Sequence, residues 1–370
     1  MGSCWVKSDN GNPYNGAQAS KSPPAKLRSE LINVEDFIIK KVIGRGTFGK
    51  VFMVRKKGTN KNYAMKVLKK EEISEKQQEV HTRAEREILE KIDNPFIVKL
   101  HYAFQTPDKL YFVLDFVNGG ELFSHLRREK KFSNERARFY AAELVLALDC
   151  LHHSKIIYRD LKPENILLDS EGHVKITDFG LSKKGTRKTY TFWGTPEYLA
   201  PEVIKGEGHD KGVDWWSLGT LLYEMLWGRP PFWDKNRKEM FRQIVEKRPT
   251  MKKEFNKEAR DLLKKLLNPV PYERLGNGPK GTDEIKLHPY FKDIDWEKLY
   301  NKELTPPYVP EVNDSEDTGQ IDKLFTDERP EETPVDSALR DKDKAKNYYG
   351  GFTYKANHLG KSRDTMSTKA

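Results

Sequence analysis

The sequence predicts an α+β fold of two lobes, in which an antiparallel sheet is followed by a mainly helical part. The 370 residues are enough for two such lobes with ample buried core. Short segments rich in β-branched and aromatic residues come first, separated by turn residues such as Gly58-Thr59-Asn60. After residue 120 the apolar residues recur at helical spacing. This change of periodicity predicts a sheet lobe and then a helical lobe.

Five segments are predicted to form one sheet, namely 37–43, 51–55, 62–68, 98–104 and 110–116. A helix predicted over 76–92 interrupts this sheet. In that helix apolar residues recur at every fourth position, at Val80, Ala84, Ile88 and Ile92. Two longer apolar-faced helices are predicted at 135–153 and 213–227.

The two ends of the chain differ in composition from the part between them. The first 30 residues are rich in Ser, Asn, Gly, Pro and Lys, so residues 1–36 are expected to form a disordered extension. The globular pattern covers 37–291, and a Pro- and acid-rich tail with aromatic islands follows over 292–370. The whole chain has a net charge of +10, yet residues 311–346 hold twelve acids and six bases. The tail therefore opposes the charge of the rest.

Two short motifs carry the chemistry. Residues 158–165 read Tyr-Arg-Asp-Leu-Lys-Pro-Glu-Asn, and Asp178-Phe-Gly follows soon after. Asp160 can take a proton from a hydroxyl, and Lys162 can neutralise a moving phosphate. Asn165 and Asp178 offer hard oxygen ligands of the kind that Mg²⁺ prefers. An Asp-Phe-Gly run alone is common by chance, but the two motifs in this order, downstream of a glycine-rich loop, indicate phosphoryl transfer.

The glycine-rich loop occupies residues 44–51, Gly-Arg-Gly-Thr-Phe-Gly-Lys-Val, between two predicted strands. Gly44, Gly46 and Gly49 would let backbone amides approach a phosphate where a side chain would collide. A flexible hairpin would look the same, so this pattern is weak by itself. Its strand-to-strand setting argues against the dinucleotide-binding fold, which needs a strand followed by a helix.

Lys66 lies on the strand after this loop. Most lysines on strands are solvated edge charges, but this one has an acidic partner in Glu85, nineteen residues later on the inward face of the 76–92 helix. Glu87 is the alternative partner on the same helix. The register favours Glu85, because it shares a face with His81 one turn earlier.

Together these motifs resemble the eukaryotic protein kinases. Tyr158, where many kinases have His, resembles the AGC group, and Lys162 with the Gly-Thr-Pro-Glu run at 194–197 resembles Ser/Thr kinases. The tail segment 349–354, Tyr-Gly-Gly-Phe-Thr-Tyr, resembles the hydrophobic motif of that group. The resemblance covers about residues 35–355 and is closest to the protein kinase B and serum/glucocorticoid-regulated kinase branch. It implies the bilobal protein-kinase fold, with a regulatory helix in the N-lobe and a C-terminal tail that wraps this lobe.

The resemblance implies an ATP site between the lobes, with Asp160 as catalytic base and Mg²⁺ on Asn165 and Asp178. Lys66, paired with Glu85, would hold the phosphates under the glycine-rich loop. The other residues implied around the nucleotide are Val51, Ala64, Leu114, Asp115, Val117, Glu121, Leu167 and Thr177.

The resemblance also implies control by phosphorylation. Thr191 would be phosphorylated in the activation loop by an upstream kinase of the phosphoinositide-dependent type, and Thr189 is the competing site. The residues implied around this phosphate are His81, Arg159 and Lys183. Thr333 and Thr353 would be phosphorylated in the tail. We expect the hydrophobic motif to dock onto the same chain, although a tail of this composition could instead bind a partner protein.

Three acidic residues match the positions with which AGC kinases recognise arginines before the target hydroxyl, namely Glu121, Glu164 and Glu224. Because arginine pairs with a carboxylate through two parallel hydrogen bonds, substrates of the Arg-x-Arg-x-x-Ser/Thr type are expected. Trp193 replaces the Cys usual in this loop and is expected to change substrate docking or packing. We also expect Glu202 to pair with Arg274, and Asp214 to brace the catalytic loop.

Two other classes of function are alternatives to the kinase. A catalytically silent scaffold would bind nucleotide and use the tail for partners, but it would normally lack Lys66, Asp160 or Asp178, and all three are present. A nucleic-acid-binding module would need basic residues interleaved with exposed aromatics, and we expect no nucleic-acid partner.

The expected state is a monomer in the cytoplasm, with the nucleus as a second compartment. Two cysteines in the whole chain and the lack of an apolar N-terminal stretch favour this location. Membrane contact is expected only if Gly2 and Cys4 are acylated, and the sixth residue is Val, where the acylation pattern has Ser or Thr.

Overall fold

A computed structural model describes residues 32–46, 49–185, 189–191, 193–334 and 348–356. The candidate acylation residues, Gly2 and Cys4, lie outside this part of the chain, as does most of the extension predicted over 1–36. Within the described part, no helix is both long and apolar enough to cross a membrane.

The N-lobe is built on one antiparallel sheet. Its first five strands are β1 Phe37–Gly46, β2 Gly49–Lys56, β3 Asn62–Lys69, β4 Leu100–Gln105 and β5 Lys109–Asp115. They pair in the order β1-β2-β3-β5-β4, so the five predicted segments are confirmed, with small shifts at their ends. Along β3, Tyr63, Met65 and Val67 enter the core of the sheet, whereas Ala64 and Lys66 alternate to the opposite face. This alternation turns Lys66 toward the cleft between the lobes.

Two helices follow β3, namely α1 Lys70–Glu75 and α2 Glu79–Lys91. Gln77 between them has a φ of 53°, and this left-handed conformation delays the start of α2 relative to the predicted helix. The predicted apolar face is partly wrong, because Val80 is 75% exposed. The buried residues of α2 are Thr82, Glu85, Ile88 and Leu89. Val80 lies five residues before Glu85, roughly 140° around the helix, so the rotation that buries Glu85 turns Val80 to solvent.

The C-lobe is mainly helical. Its helices are α3 Leu122–Glu129, α4 Asn134–His153, α5 Pro201–Lys205, α6 Gly212–Trp227, α7 Arg237–Glu246, α8 Lys257–Leu266, α9 Thr282–Lys286 and α10 Trp296–Tyr300. The helices predicted at 135–153 and 213–227 are confirmed as α4 and α6, which both lie in the buried core. The Ser133 side chain caps α4 by accepting a hydrogen bond from the backbone N–H of Arg136.

Two short ribbons hold the chemical motifs in place. They are β6 Ile156–Ile157 with β9 Lys183–Lys184, and β7 Ile166–Leu168 with β8 Val174–Ile176. Residues 158–165 run from β6 to β7, and Asp178 follows directly after β8. Both motifs therefore start and end on paired strands.

The expected pair of Glu202 and Arg274 is confirmed deep in the C-lobe. The two Nη atoms of Arg274 donate to the Glu202 carboxylate at 2.6 and 2.9 Å, and Nη1 also donates to the backbone carbonyl of Gly212 at 2.8 Å. Arg274 is 1% exposed. A buried ion pair is retained at low cost only when both partners are fully hydrogen-bonded, as they are here.

The tail returns from the C-lobe to the N-lobe. Tyr308 lies under the guanidinium of Arg136, 3.8 Å from the ring centre. The short helix α11 Lys323–Thr326 then packs along β1, and its Phe325 contacts the core of the sheet. The last strand, β10 Tyr354–Lys355, pairs antiparallel with β4. The tail therefore wraps the N-lobe, as the resemblance implied.

Acidic residues of the tail meet basic residues of the sheet. The pairs are Glu316 with Lys40 and Arg55, Glu328 with Arg45 and Lys50, and Glu332 with Lys109. The acid-rich part of the tail is therefore paired with basic residues of β1, β2 and β5.

Candidate active site

Lys66 joins three separate parts of the chain. Its Nζ lies 2.8 Å from Glu85 Oε1 on α2 and 3.3 Å from Asp178 Oδ1 after β8. Burial opposes the charge of Lys66, but the Asp178 and Glu85 carboxylates hold its pKa above the usual value. In return Lys66 holds the pKa of Asp178 below its usual value, whereas burial raises the pKa of Glu85. Glu87, the alternative partner, is exposed.

Asp160 is oriented by three neighbours. Asn165 Nδ2 donates to Asp160 Oδ2 at 2.7 Å and to the Asp160 backbone carbonyl at 2.9 Å. Thr195 Oγ1 donates to Asp160 Oδ1 at 3.2 Å, and Lys162 Nζ lies 3.1 Å from Oδ2. Lys162 also donates to Thr195 Oγ1 at 3.0 Å. The candidate base, cation and amide of the 158–165 motif thus form one hydrogen-bonded group.

Two residues of the site have a left-handed backbone. Arg159 has a φ of 70° and Asp178 a φ of 56°, and such a conformation costs on the order of 1–3 kcal/mol for each non-glycine residue. Asp214 accepts hydrogen bonds from the N–H groups of Arg159 at 2.8 Å and Tyr158 at 3.0 Å. The Tyr158 hydroxyl donates to the Thr177 carbonyl at 2.6 Å, next to Asp178. The expected bracing by Asp214 is therefore present, and it offsets the strain.

The three loop glycines are needed for different reasons. A Cβ on Gly49 would lie 1.8 Å from the carbonyl oxygen of Val67, so packing excludes any other residue there. Among the described residues, a Cβ on Gly44 or Gly46 would meet no atom closer than 3.6 Å or 3.9 Å, respectively. Packing against this part of the chain does not require glycine at 44 or 46, and their contact with a phosphate stays a prediction.

The apolar residues implied around adenine line the gap between the lobes. Ala64 on β3 and Leu114 on β5 are cross-strand partners. Val51, Ala64 and Leu167 are apolar but only half-buried, as the walls of a cleft would be. Leu114 and Val117 are buried. The contact of these residues with adenine stays a prediction.

Asp115 differs from its apolar neighbours because its side chain is already occupied. The carboxylate lies 2.8 Å from His101 Nε2, 3.1 Å from Lys175 Nζ and 3.1 Å from the Lys99 backbone N–H. Although burial opposes this, hydrogen bonds from His101 and the charge of Lys175 hold the pKa of Asp115 well below its usual range. The Asp115 N–H also donates to the Lys99 carbonyl at 3.1 Å, so neither the side chain nor the N–H of Asp115 is available to a nucleotide.

Asn165 and Asp178 fit a Mg²⁺ site in their donor chemistry. The Thr177 N–H donates to the Asn165 carbonyl at 3.0 Å, which keeps the two segments side by side. The side-chain Nδ2 of Asn165 donates to Asp160, so the side-chain Oδ1 is the atom with which Asn165 could bind a cation. A cation held by one amide and one carboxylate would draw its other ligands from phosphates and water.

Of the two candidate threonines in the activation loop, Thr191 is the accessible one. It is exposed, and its Oγ1 accepts a hydrogen bond from Arg159 Nη1 at 2.7 Å. Thr189 is 1% exposed, and its backbone pairs in both directions with His209, at 3.0 and 2.9 Å. The Thr189 hydroxyl lies 3.1 Å from that of Thr191.

Arg159 places a positive charge next to Thr191. Burial and the charge of Arg159 lower the pKa of His81. Burial and the same charge, with a smaller contribution from Lys183, lower the pKa of His209. Of the three predicted phosphate partners only Arg159 hydrogen-bonds Thr191 within the described residues, and the roles of His81 and Lys183 stay predictions.

The three glutamates predicted to recognise arginine form an acidic cluster. Burial and the charge of Glu164 raise the pKa of Glu121. Burial, with repulsion from Glu164 and Glu197, raises the pKa of Glu224 to about 7, although the Tyr198 hydroxyl donates to its carboxylate. Nowhere in the described part of the chain does Glu121, Glu164 or Glu224 form an ion pair with Lys or Arg. The cluster therefore lacks a cation.

The hydrophobic motif docks through two buried aromatic rings. Phe352 meets Phe112 of β5 edge-on at 5.3 Å, and the Arg83 guanidinium of α2 lies 4.5 Å from the centre of the Tyr349 ring. Thr353 is exposed beside them. Docking onto the same chain is therefore confirmed, and Tyr at the first motif position is accommodated.

Thr333, the other candidate tail site, borders a cavity of about 490 Å³ between the tail and the glycine-rich loop. The cavity is lined by both charges, namely Arg45, Lys50, Lys69 and Arg329 with Glu72, Glu328, Glu331 and Glu332. Glu328 already pairs with Arg45 and Lys50, and Glu72 with Lys69, so phosphorylation of Thr333 stays a prediction.

Two residues contribute to the site although the sequence predicted no role for them. Thr195, which the sequence marked only as typical of Ser/Thr kinases, donates a hydrogen bond to Asp160 and accepts one from Lys162. Gln105 Nε2 donates to the Tyr349 carbonyl at 2.8 Å, and its Oε1 accepts from the Tyr349 N–H at 3.1 Å. No local signal marks Gln105, because its partner is 244 residues away.

Comparisons with known proteins agree with this geometry. Residues 37–291 match the protein kinase domain family, and residues 312–354 match the protein kinase C terminal domain family. The RAC family serine/threonine-protein kinase homolog of Dictyostelium discoideum is 52% identical over 333 residues, which are 89% of this chain and 74% of that protein. Protein kinase 2 of the same organism is 56% identical over 88% of this chain and 68% of its own length. Serine/threonine-protein kinase YPK1 of Saccharomyces cerevisiae is 48% identical over 97% of this chain and 52% of its own length.

The chain is an AGC-group serine/threonine-protein kinase. The expected group, fold class and enzyme class are thereby confirmed. AGC kinases phosphorylate protein substrates, are regulated by upstream kinases, and use ATP with a divalent metal.

Replacing Glu85 in this AGC kinase should distinguish the effect of the Lys66–Glu85 ion pair from the effect of other changes in α2. In Glu85→Gln, Lys66 keeps Asp178 as a partner but loses its link to α2, and we expect kcat/KM to fall roughly 10²-fold, as when one preorganised electrostatic contact is removed. Steady-state assays with ATP and a peptide would measure this. The matched control is Glu87→Gln on the exposed face of the same helix, which should leave activity unchanged. Equal losses in the two variants would assign the effect to the helix as a whole.

Proposed function

We propose that this AGC kinase transfers the γ-phosphate of ATP to Ser and Thr hydroxyls in proteins that carry arginines upstream of the target. The observation that carries the proposal is the ion-paired group of Lys66, Glu85 and Asp178 in the same cleft as an Asp160 already oriented by Asn165. Phosphoryl transfer depends on positioning and charge neutralisation, and this group provides both. A silent scaffold would have no use for the whole set.

The reaction would proceed by in-line displacement. Asp160 takes the proton of the substrate hydroxyl as the new O–P bond forms, and the bond between the γ-phosphorus and the β-phosphate oxygen breaks to release ADP. Lys162, 3.1 Å from Asp160, neutralises the phosphoryl group in transit, and Lys66 holds the remaining phosphates. Mg²⁺ on Asn165 and Asp178 would supply further neutralisation of the phosphates when bound.

The acidic cluster of Glu121, Glu164 and Glu224 supports the choice of substrate. Its carboxylates repel one another and lack a cation among the described residues, so a guanidinium from a substrate would relieve the repulsion. Arginine can engage such carboxylates through paired hydrogen bonds, which lysine cannot reproduce. A sequence with two arginines before the target, of the Arg-x-Arg-x-x-Ser/Thr type, fits the number of carboxylates.

Activation is proposed to run through Thr191 and Thr353. A phosphate on Thr191 adds about two negative charges and three acceptor oxygens next to Arg159. His81 lies one turn before Glu85 on α2. A phosphate that attracts His81 would therefore also keep Glu85 in its ion pair with Lys66. Phosphorylation of exposed Thr353 would reinforce the docked tail. We propose that an upstream kinase of the phosphoinositide-dependent type modifies Thr191 and that the enzyme acts as a monomer.

The direct test is phosphate transfer from Mg·ATP to an Arg-x-Arg-x-x-Ser peptide by wild type and Asp160→Asn. Asn keeps the shape of Asp160 and one of its two acceptor oxygens but cannot take a proton, so kcat should fall roughly 10²–10⁴-fold while ATP still binds. Transfer would be followed with labelled ATP, and nucleotide binding by calorimetry. Wild type that is phosphorylated at Thr191 and Thr353, binds ATP and transfers nothing would make the protein a nucleotide-binding scaffold.

Loop phosphorylation should act through Thr191 and not through Thr189. In Thr191→Ala the upstream kinase should no longer raise kcat/KM, whereas in wild type and Thr189→Ala we expect a rise of at least about tenfold, because a phosphate adds one to three charge-assisted hydrogen bonds. Activity before and after treatment, with the modified site located by mass spectrometry, would measure this. A full rise in Thr191→Ala would place the switch elsewhere.

Arginine recognition should depend on pH through Glu224. The pKa of this carboxyl is raised to about 7, so it is charged above that pH and protonated below it, while the peptide arginine stays charged. As the pH is lowered from about 8 to about 6, we expect the KM for the arginine peptide to rise. The rise should be roughly three- to tenfold for one lost charge-assisted pair. Glu224→Gln should have a high KM that changes little with pH. An equally steep KM profile in Glu224→Gln would exclude Glu224 as the group that titrates.

A further inference from the structure

Trp193 makes a contact that the activation mechanism proposed above does not use. Its ring meets the imidazole of His81 edge-on, with the ring centres 5.9 Å apart and the planes at 82°. This geometry is the favourable one for aromatic pairs. Trp193 lies in the activation loop two residues after Thr191, and its backbone N–H donates to the Thr191 carbonyl at 3.2 Å.

His81 is well placed to pass this contact on to the active site. Its Nδ1 lies 2.6 Å from Gln78 Oε1, which fixes the orientation of the ring. It lies on α2 one turn before Glu85, whose carboxylate holds Lys66. Because a helical turn is rigid, a group that holds His81 against the loop also holds Glu85 toward Lys66.

The contact between Trp193 and His81 is made by the two rings alone. It does not use the Thr191 side chain, whose hydroxyl accepts a hydrogen bond from Arg159. Burial and the charge of Arg159 lower the pKa of His81, which favours a neutral ring. A neutral imidazole can pack on an indole without the cost of desolvating a cation.

We propose that Trp193 is a positioning residue that holds α2 in its active place through His81 before Thr191 is phosphorylated. This inference rests on the proposed roles of the Lys66–Glu85 pair and of Thr191. It predicts a kinase with substantial basal activity, to which loop phosphorylation adds a second link between the loop and α2.

Kinetics of Trp193→Ala with unphosphorylated and with Thr191-phosphorylated enzyme test the proposal. For unphosphorylated enzyme we expect kcat to fall roughly two- to tenfold, the equilibrium effect of one aromatic pair, with the peptide KM unchanged. Phosphorylated enzyme should lose much less, because the phosphate supplies the second link. Trp193→Phe should restore most of the basal kcat. The matched control is Trp233→Ala, since Trp233 is exposed to the same degree (42% against 40%) but stacks on Arg229 instead.

A double-mutant comparison checks the route through His81. In unphosphorylated His81→Ala, the further change Trp193→Ala should have little effect on kcat, because the partner is already gone. Additive losses would overturn the proposal, as would equal losses in both phosphorylation states. A raised peptide KM at constant kcat would make Trp193 a substrate contact and overturn it as well.

Hydrogen exchange gives a readout that does not depend on catalysis. Amides of α2 should exchange faster in unphosphorylated Trp193→Ala than in wild type, and Trp233→Ala should show no change in that helix. Unchanged exchange in α2 would overturn the inference even in an active enzyme. Failure of phosphorylated wild type to transfer phosphate, with α2 protected by Trp193, would count against the proposed function and leave the Trp193 contact supported.

Discussion

The rest of the structure depends on one buried charge, the ammonium of Lys66. Removing a cation from water costs several kcal/mol unless counter-charges go with it, so β3 can carry this lysine inward only while two carboxylates accompany it. Glu85 brings α2 to the sheet, and Asp178 brings the segment after β8. The dependence is mutual, since burial raises the pKa of Glu85 and the carboxylate keeps its charge through Lys66. Charge balance at one atom therefore sets the positions of a helix and a loop from different lobes.

Besides this pair and the buried side chains of Ile88 and Leu89, α2 makes two contacts of modest energy with distant segments. Arg83 lies on the Tyr349 ring of the tail, and His81 lies on Trp193 of the activation loop. Contacts of these kinds contribute roughly 0.5–2 kcal/mol each, which is too little for either to fix the helix alone. They come from distant segments of the chain and meet on one rigid helix. In the proposed activation, each of them changes the fraction of molecules in which Glu85 reaches Lys66.

The parts of the site that follow local periodicity could be predicted from the sequence, and the parts made by long-range contacts could not. Alternation along β3 placed Lys66 on the face opposite the core, and helical register selected Glu85. The prediction for Val80 was wrong because a four-residue spacing of apolar side chains fits more than one face of a helix. The face that is buried is the one that carries the polar Glu85. Gln105 was missed because nothing near it in the sequence indicates that a tail residue, Tyr349, will bring its backbone there.

The acidic tail and the basic strands of the N-lobe attract each other, but this attraction is not what anchors the tail. Ion pairs such as Glu328 with Arg45 and Lys50 are partly exposed, and exposed pairs add roughly 0–1 kcal/mol each, so they cannot place the tail by themselves. A buried aromatic side chain such as Phe352 contributes roughly 1.5–3 kcal/mol. The aromatic rings therefore anchor the tail, and its acidic residues hold the intervening segment to the basic strands. Because those acids already pair with Lys40, Arg45, Lys50, Arg55 and Lys109, these basic side chains of the sheet are less available to a polyanion.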